Sequence, residues 1–309
     1  VSAHHEPVLV AEVLQFLPNG AGLYLDATLG DGGHAAALLD REPRARLLGV
    51  DRDPAALDVA RARLARFGER VKLAHGTFRE LPAIHAARGG ELLAGALFDL
   101  GVSSRQIDDP ARGISSRLEG PLDLRMDPSG GIPAAERLRD ADEAQLAAVL
   151  GQHGDVRAAR RLARTLVAAA RSGALLTTRD LTAAVHRAHR GRAHPRVIAQ
   201  VFQALRIWIN DEAAELEAAL SWLPSAMRAD GVVVTLAYHS GEDRRIKQAL
   251  RGAVPSRAAR RLPMTAEMRP PEGPWSVINR RVVTPSPDEV ARNPRARSAR
   301  LRAFRRKPA

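Results

Sequence analysis

Four short apolar runs, each followed or closed by a polar residue, punctuate the first hundred positions: Leu23–Ala27, Leu47–Asp51, Val71–His75 and Ala94–Leu100. Runs of this length with turn residues between them read as strands, and the segments separating them have helical spacing. Pro54–Phe67 is the clearest helix, with Asp53 as N-cap and Pro54 at the first helical position. Strands alternating with helices imply βαβ units and a mainly parallel sheet. The rhythm stops at Ile107. From there to Gly131 the chain is rich in Gly, Pro, Asp and Arg and has neither period, and so long an irregular stretch beside a sheet points to function. Residues 134–200 read as helices only. In Val156–Ala170 the apolar positions share one side, and Arg157, Arg160, Arg161, Arg164 and Arg171 fall opposite. A long helix, Phe202–Met227, and an apolar strand, Gly231–Tyr238, then resume the first pattern. The expected organisation is an α/β domain formed by 1–108 and 201–309, interrupted by a helical insertion at 109–200.

Composition narrows this picture. The 309 residues suffice for a sizeable core, and zero cysteines exclude disulfides and thiolate metal sites. No apolar run approaches the length of a membrane span, and Val1 to Glu6 shows no basic segment leading into an apolar one. The chain is therefore expected to be soluble and cytoplasmic. The net charge of +12 is segregated: residues 1–150 carry −5, 151–210 carry +9, 211–250 carry −3 and 251–309 carry +11. Two basic blocks flanking an acidic body suit a polyanionic partner. Only three lysines accompany 44 arginines, a compositional bias that explains the choice of arginine but not its segregation.

The chemistry concentrates at Leu23-Tyr24-Leu25-Asp26-Ala27-Thr28-Leu29-Gly30-Asp31-Gly32-Gly33-His34. A strand ending in an acid, then three glycines in four positions, then a helix, is the shape of a nucleotide-binding turn. Asp26-x-x-x-Gly30-x-Gly32 resembles the cofactor loop of S-adenosylmethionine-dependent methyltransferases, and Gly30-x-Gly32-x-x-Ala35 also fits the dinucleotide pattern. Asp51, at the end of the second strand and 21 residues after Gly30, is placed to accept from ribose hydroxyls. Phe78, after the third strand, can stack an adenine or fill the core. Asp99 ends the fourth strand, at the edge where such sheets hold ligands. His186, His189 and His194 lack an acid or cysteine to complete a metal shell, so no metal is expected. Ser103 and Ser104 are not in a nucleophile elbow.

Taken together, the motifs make the chain resemble the bacterial 16S rRNA (cytosine-N4)-methyltransferases, the RsmH/MraW family, over essentially its whole length. Nine blocks in order carry the resemblance. They are His5-Glu6-Pro7-Val8-Leu9, Asp26–His34, Gly49-Val50-Asp51-Arg52-Asp53, His75-Gly76-x-Phe78 and Asp99-Leu100-Gly101-Val102-Ser103-Ser104-x-Gln106. The rest are Gly120-Pro121-Leu122-Asp123-Leu124-Arg125-Met126-Asp127, Phe202-Gln203-Ala204-Leu205-Arg206-Ile207, His239-Ser240-x-Glu242-Asp243-Arg244 and Asn293-Pro294-Arg295-Ala296-Arg297-Ser298-Ala299.

The resemblance implies a Rossmann-like class I methyltransferase sheet with an all-helical domain inserted after the fourth strand. It implies S-adenosylmethionine as cofactor, contacted by Gly32, Gly33, His34, Asp51, Phe78, Asp99 and Gln106. Its substrate would be a cytidine in the decoding region of 16S rRNA, within the small ribosomal subunit, and a homodimer is left open. Asp99, or the backbone of the Asp99–Ser104 loop, is the candidate acceptor for the amine, and a purely cofactor-holding role for Asp99 stays open beside it. Residues 107–131 and His239–Arg244 would line the base pocket. Departures from the family pattern fall at Ala111-Arg112-Gly113-Ile114-Ser115-Ser116, Gly154-Asp155-Val156, Gln200 and Gly241. Two alternatives remain: an N-methyltransferase acting on another nucleic acid, and a non-catalytic RNA-binding ribosome-assembly factor.

Overall fold

A computed structural model describes residues 7–251 and 273–308, so His5 and Glu6 of the first block lie outside the described residues. The chain forms two compact units, one of Val1–Gly101 with Glu215–Ala309 and one of Val102–Ala214. These joints fall at 101 and 214, where the sequence reading places them at 108 and 200.

The first unit opens with α1 (Val10–Phe16) and then alternates β1 (Gly22–Asp26), α2 (Gly33–Arg41), β2 (Ala45–Asp51), α3 (Pro54–Leu64), β3 (Val71–His75), α4 (Leu81–Ala87) and β4 (Leu93–Asp99). The predicted cap is present: the Asp53 side chain accepts from the Ala55 amide at 3.1 Å. Alternate strand residues feed two apolar layers. Tyr24, Leu47 and Leu97 pack with Leu38 and Leu57 on one face, and Leu25, Leu48 and Phe98 with Leu81 and Leu220 on the other. Burial on both faces explains why these strands read as continuous apolar runs.

The second unit holds α5 (Ser104–Asp108), α6 (Ala134–Arg139), α7 (Glu143–Gly154), α8 (Ala159–Arg171), α9 (Thr178–Ala188) and α10 (Pro195–Ile209). Its single core joins Leu146, Leu150, Leu166, Val185, Val201 and Leu205 with Leu122 and Leu124 of the irregular stretch. Two expectations are corrected here. The arginine-bearing helix starts at Ala159 rather than Val156, because Asp155 and Ala158 adopt left-handed backbone with φ of 50° and 60°. Arg157 therefore sits in the preceding turn. The expected single helix Phe202–Met227 is two helices, broken at Asn210-Asp211, where Asp211 has a φ of 51°. The Asn210 side chain donates to the carbonyls of Leu124 and Arg206, which fixes the break, and Phe202 and Leu205 lie in the helical core.

The chain returns through α11 (Glu212–Ala226) to β5 (Met227–Ala237), α12 (Ser240–Arg251), β6 (Trp275–Val277), α13 (Pro287–Arg292) and β7 (Arg300–Arg306). The seven strands lie in the order β3-β2-β1-β4-β5-β7-β6. The first five are mutually parallel, while β7 runs antiparallel between β5 and β6. This is the expected Rossmann-like methyltransferase sheet.

Candidate functional site

Strand order reverses between β1 and β4, and open α/β sheets hold ligands outside the carboxyl ends of strands at such a point. The glycine turn after β1 is stitched to both neighbouring strands: the Ala27 amide donates to the Leu97 carbonyl and the Leu29 amide to the Val50 carbonyl, each at 3.0 Å. Gly30 and Gly32 take φ of 51° and 77°, which a side chain disfavours. Gly32 is the N-cap of α2 and offers no side-chain cap, so the first amides of that helix remain for another acceptor. Gly33 is glycine for a different reason, since a Cβ there would collide with the Pro7 ring.

Three carboxylates end β1, β2 and β4. Asp26 is 3% exposed, and burial pushes its carboxyl up to about 7 against the pull of His34 and the Thr28 amide. Asp51 accepts from the Gly30 amide at 2.7 Å through Oδ2 and from the Asp53 amide at 2.8 Å through Oδ1. Burial raises its pKa, and those two amides oppose the rise. Each carboxylate oxygen has a second lone pair, so the pair of amides does not exclude ribose hydroxyls. The Asp99 amide donates to Thr28 Oγ1 at 2.6 Å, its Oδ1 accepts from the Tyr238 hydroxyl at 2.8 Å, and its Oδ2 stands 3.6 Å from His34 Nε2. His34 is 7% exposed, and neither ring nitrogen has a hydrogen-bond partner among the described residues. An orphaned buried imidazole is costly, and a polar ligand beside it offsets that cost. These observations fit an adenosine-type cofactor at the turn. Gly32, Gly33, His34, Asp51 and Asp99 are thus placed at one edge of one unit.

Phe78 follows β3 in a short 3-10 turn, half-buried and edge-on to Phe98 with ring centroids 5.5 Å apart. It packs against the core on one side and is accessible on the other. Gln106 belongs to the second unit, where its Oε1 accepts from the Ser103 amide at 3.1 Å and caps α5.

The sequence reading did not single out Thr28 or Tyr238. A polar-tipped aromatic ending an otherwise apolar strand was the available signal for Tyr238. The motif after it, expected to line a base pocket, clamps the start of α12. Glu242 Oε2 accepts from the Tyr238 amide at 2.8 Å, and His239 Nδ1 accepts from the Gly241 amide at 3.2 Å. Asp243 binds Arg302 at 2.6 Å and Lys247 at 3.0 Å.

In the second unit Arg157, Arg160, Arg161 and Arg164 are all exposed, and their side chains have no ion-pair or hydrogen-bond partner among the described residues. His186 Nδ1 accepts from the Ala193 amide and His194 Nδ1 from the Arg196 amide, so both act as local caps. Among the described residues, no helix is long and apolar enough to cross a membrane.

Comparison with known proteins agrees with this geometry. A protein named ribosomal RNA small subunit methyltransferase H from Sorangium cellulosum is 46% identical over 307 residues, covering 98% of this chain and 90% of its own. Its namesake from Thermomicrobium roseum is 41% identical over 320 residues, covering 99% and 94%. That from Mycobacterium avium is 40% identical over 319 residues, covering 98% and 82%. The sequence profile of the MraW methylase family matches residues 2–307, and the chain belongs to that family.

Proposed function

We propose that this chain transfers a methyl group from S-adenosylmethionine to the exocyclic N4 of a cytidine in the decoding region of 16S rRNA, acting on the small ribosomal subunit in the cytoplasm. The observation that carries the reading is Asp99, an acceptor-bearing carboxylate at the switch point beside the glycine turn and the uncapped start of α2. Family membership and the names of the relatives support the methyl-transfer chemistry and the small-subunit RNA.

When bound, S-adenosylmethionine supplies an electrophilic sulfonium methyl. Gly32, Gly33 and His34 would contact it, Asp51 would accept from its ribose hydroxyls, and Phe78 would pack against its adenine. Gln106, which caps α5 in the second unit, is a cofactor contact by the resemblance alone. A cytosine amine is a weak nucleophile because its lone pair is delocalised into the ring, so alignment and a proton acceptor are the main demands on the protein. Asp99 is that acceptor. The target base must leave its stack to be reached, and the unpaired arginines of the second unit hold RNA phosphates while it does.

The test is methyl transfer to 30S particles and to naked 16S RNA, with mass mapping of the modified nucleoside. N4-methylated cytidine is the expected product. Methylation of another atom overturns the N4 assignment, and RNA binding without turnover favours an assembly factor.

A further inference from the structure

We propose that Tyr238 is a positioning residue for methyl transfer, its hydroxyl fixing one oxygen of Asp99 so that the other receives the amine proton. The inference rests on the reading of Asp99 given above.

Tyr238 follows β5, whose Leu236 carbonyl accepts from the Leu100 amide just beyond Asp99, at 3.0 Å. That register brings the phenol to Asp99 Oδ1 at 2.8 Å. The hydroxyl is a donor to that oxygen and stays one, because burial and the neighbouring Asp99 carboxylate raise its pKa well above the ordinary phenol value. Glu242 and Glu289 act in the same direction. The Tyr238 backbone is held in turn by Glu242 Oε2, which accepts from its amide. The His-Ser-x-Glu clamp at the start of α12 therefore sets where the hydroxyl stands.

A carboxylate with a free torsion presents either oxygen. Here Oδ1 is engaged by Tyr238, and the backbone amide of Asp99 is tied to Thr28 Oγ1. Oδ2 is left, near the His34 ring at 3.6 Å. As the new N–C bond forms and the S–C bond breaks, the amine nitrogen sheds one proton, and Asp99 Oδ2 accepts it. Fixing the acceptor before the reaction avoids reorganising it during the reaction.

The test is a double-mutant cycle on the full chain, with 30S particles as substrate and saturating S-adenosylmethionine. Tyr238→Phe keeps the ring and removes one hydroxyl. It is expected to lower kcat about tenfold, the scale of one lost hydrogen bond, with cofactor affinity by calorimetry unchanged within about twofold. Asp99→Asn lowers kcat further. Adding Tyr238→Phe to it costs nothing more, since the hydroxyl acts only through that carboxylate. Unchanged kcat in Tyr238→Phe, beside a damaged Asp99→Asn, overturns the proposal for Tyr238 and leaves Asp99 as acceptor. Fully additive losses, or a loss confined to cofactor affinity, also overturn it. Full turnover in Asp99→Asn overturns both the acceptor reading and the proposal built on it.

Discussion

Asp26, Asp51 and Asp99 end neighbouring strands, yet each is surrounded differently and so answers a different experiment. Asp51 has two backbone amides and lone pairs to spare, which suits ribose. Asp51→Ala is expected to lose charge-assisted hydrogen bonds of about 1.5–3 kcal/mol each and to weaken S-adenosylmethionine binding at least roughly tenfold. Calorimetry on the folded variant checks this, and unchanged affinity removes the ribose role. Asp26 is buried with one amide donor at its Oδ1. Its pKa of about 7 against an ordinary 3.8 means that the folded chain keeps a proton the unfolded chain has released. Stability therefore falls as pH rises between these values and levels off above about 7, by at most about 4 kcal/mol. Asp26→Asn, which cannot ionise, should raise the unfolding free energy of the cofactor-free protein at pH 8 and do nothing at pH 4. Denaturant titrations at both pH values decide, and a gain that does not depend on pH refutes the buried-acid account. Asp26 and Asp51 were visible in the sequence as acids ending apolar runs. That one is protonated near neutrality was not, because burial depends on which helices cover the strand.

Elements were legible where local chemistry and packing agree. The Asp53-Pro54 start of α3 and the acid-terminated strands are local signals, and the structure keeps them. The insertion was legible as a change of period. Its internal joints were not: Asp155, Ala158 and Asp211 adopt left-handed backbone without a glycine to announce it, held there by the packing of Val156 and the hydrogen bonds of Asn210. The consequence for α8 is testable. Its exposed side carries Arg160, Arg161 and Arg164, with Arg157 in the turn before it, and none of these side chains has a partner among the described residues. By contrast, Arg46, Arg61 and Arg66 of the first unit pair with Glu91, Asp58 and Asp40. An arginine held by an acid of its own chain is partly neutralised, and an unpaired row is open to phosphate. Changing Arg157, Arg160, Arg161 and Arg164 to Gln keeps helix propensity and removes four charges. Each lost phosphate contact should flatten the plot of log K against log salt by about 0.7–0.9, with cofactor affinity unmoved. RNA titrations at several salt concentrations measure it, and an unaltered slope makes the helix scaffold alone.

At the scale of the whole molecule, the first unit is closed by residues far apart in sequence. The Leu9 amide donates to Glu289 across 280 positions, and β7 enters between β5 and β6. Antiparallel insertion of a late strand leaves no local sequence signal, since β7 reads only as a basic segment. What fixes it is Asp243, whose side chain is 4% exposed and faces Arg302, Lys247 and Arg300 at 2.6, 3.0 and 3.8 Å. Burial alone would push this carboxyl up, but the bonds from Arg302 and Lys247 outweigh burial and hold it below its ordinary range. The stabilisation is therefore present above the ordinary carboxylate value and is lost as pH falls through the lower, folded one. Asp243→Ala strands the Arg302 guanidinium, 13% exposed, without its acid and should lower the unfolding free energy by about 3–5 kcal/mol at pH 7. Removing both charges with Asp243→Ala and Arg302→Met should recover part of that loss, because an uncompensated buried charge costs more than the pair contributes. Denaturant unfolding of the single and double variants measures both effects. If the double variant is no more stable than Asp243→Ala, the strand is held by its apolar residues, Leu301 and Ala303 on one face and Phe304 on the other, and the ion pair only decorates it.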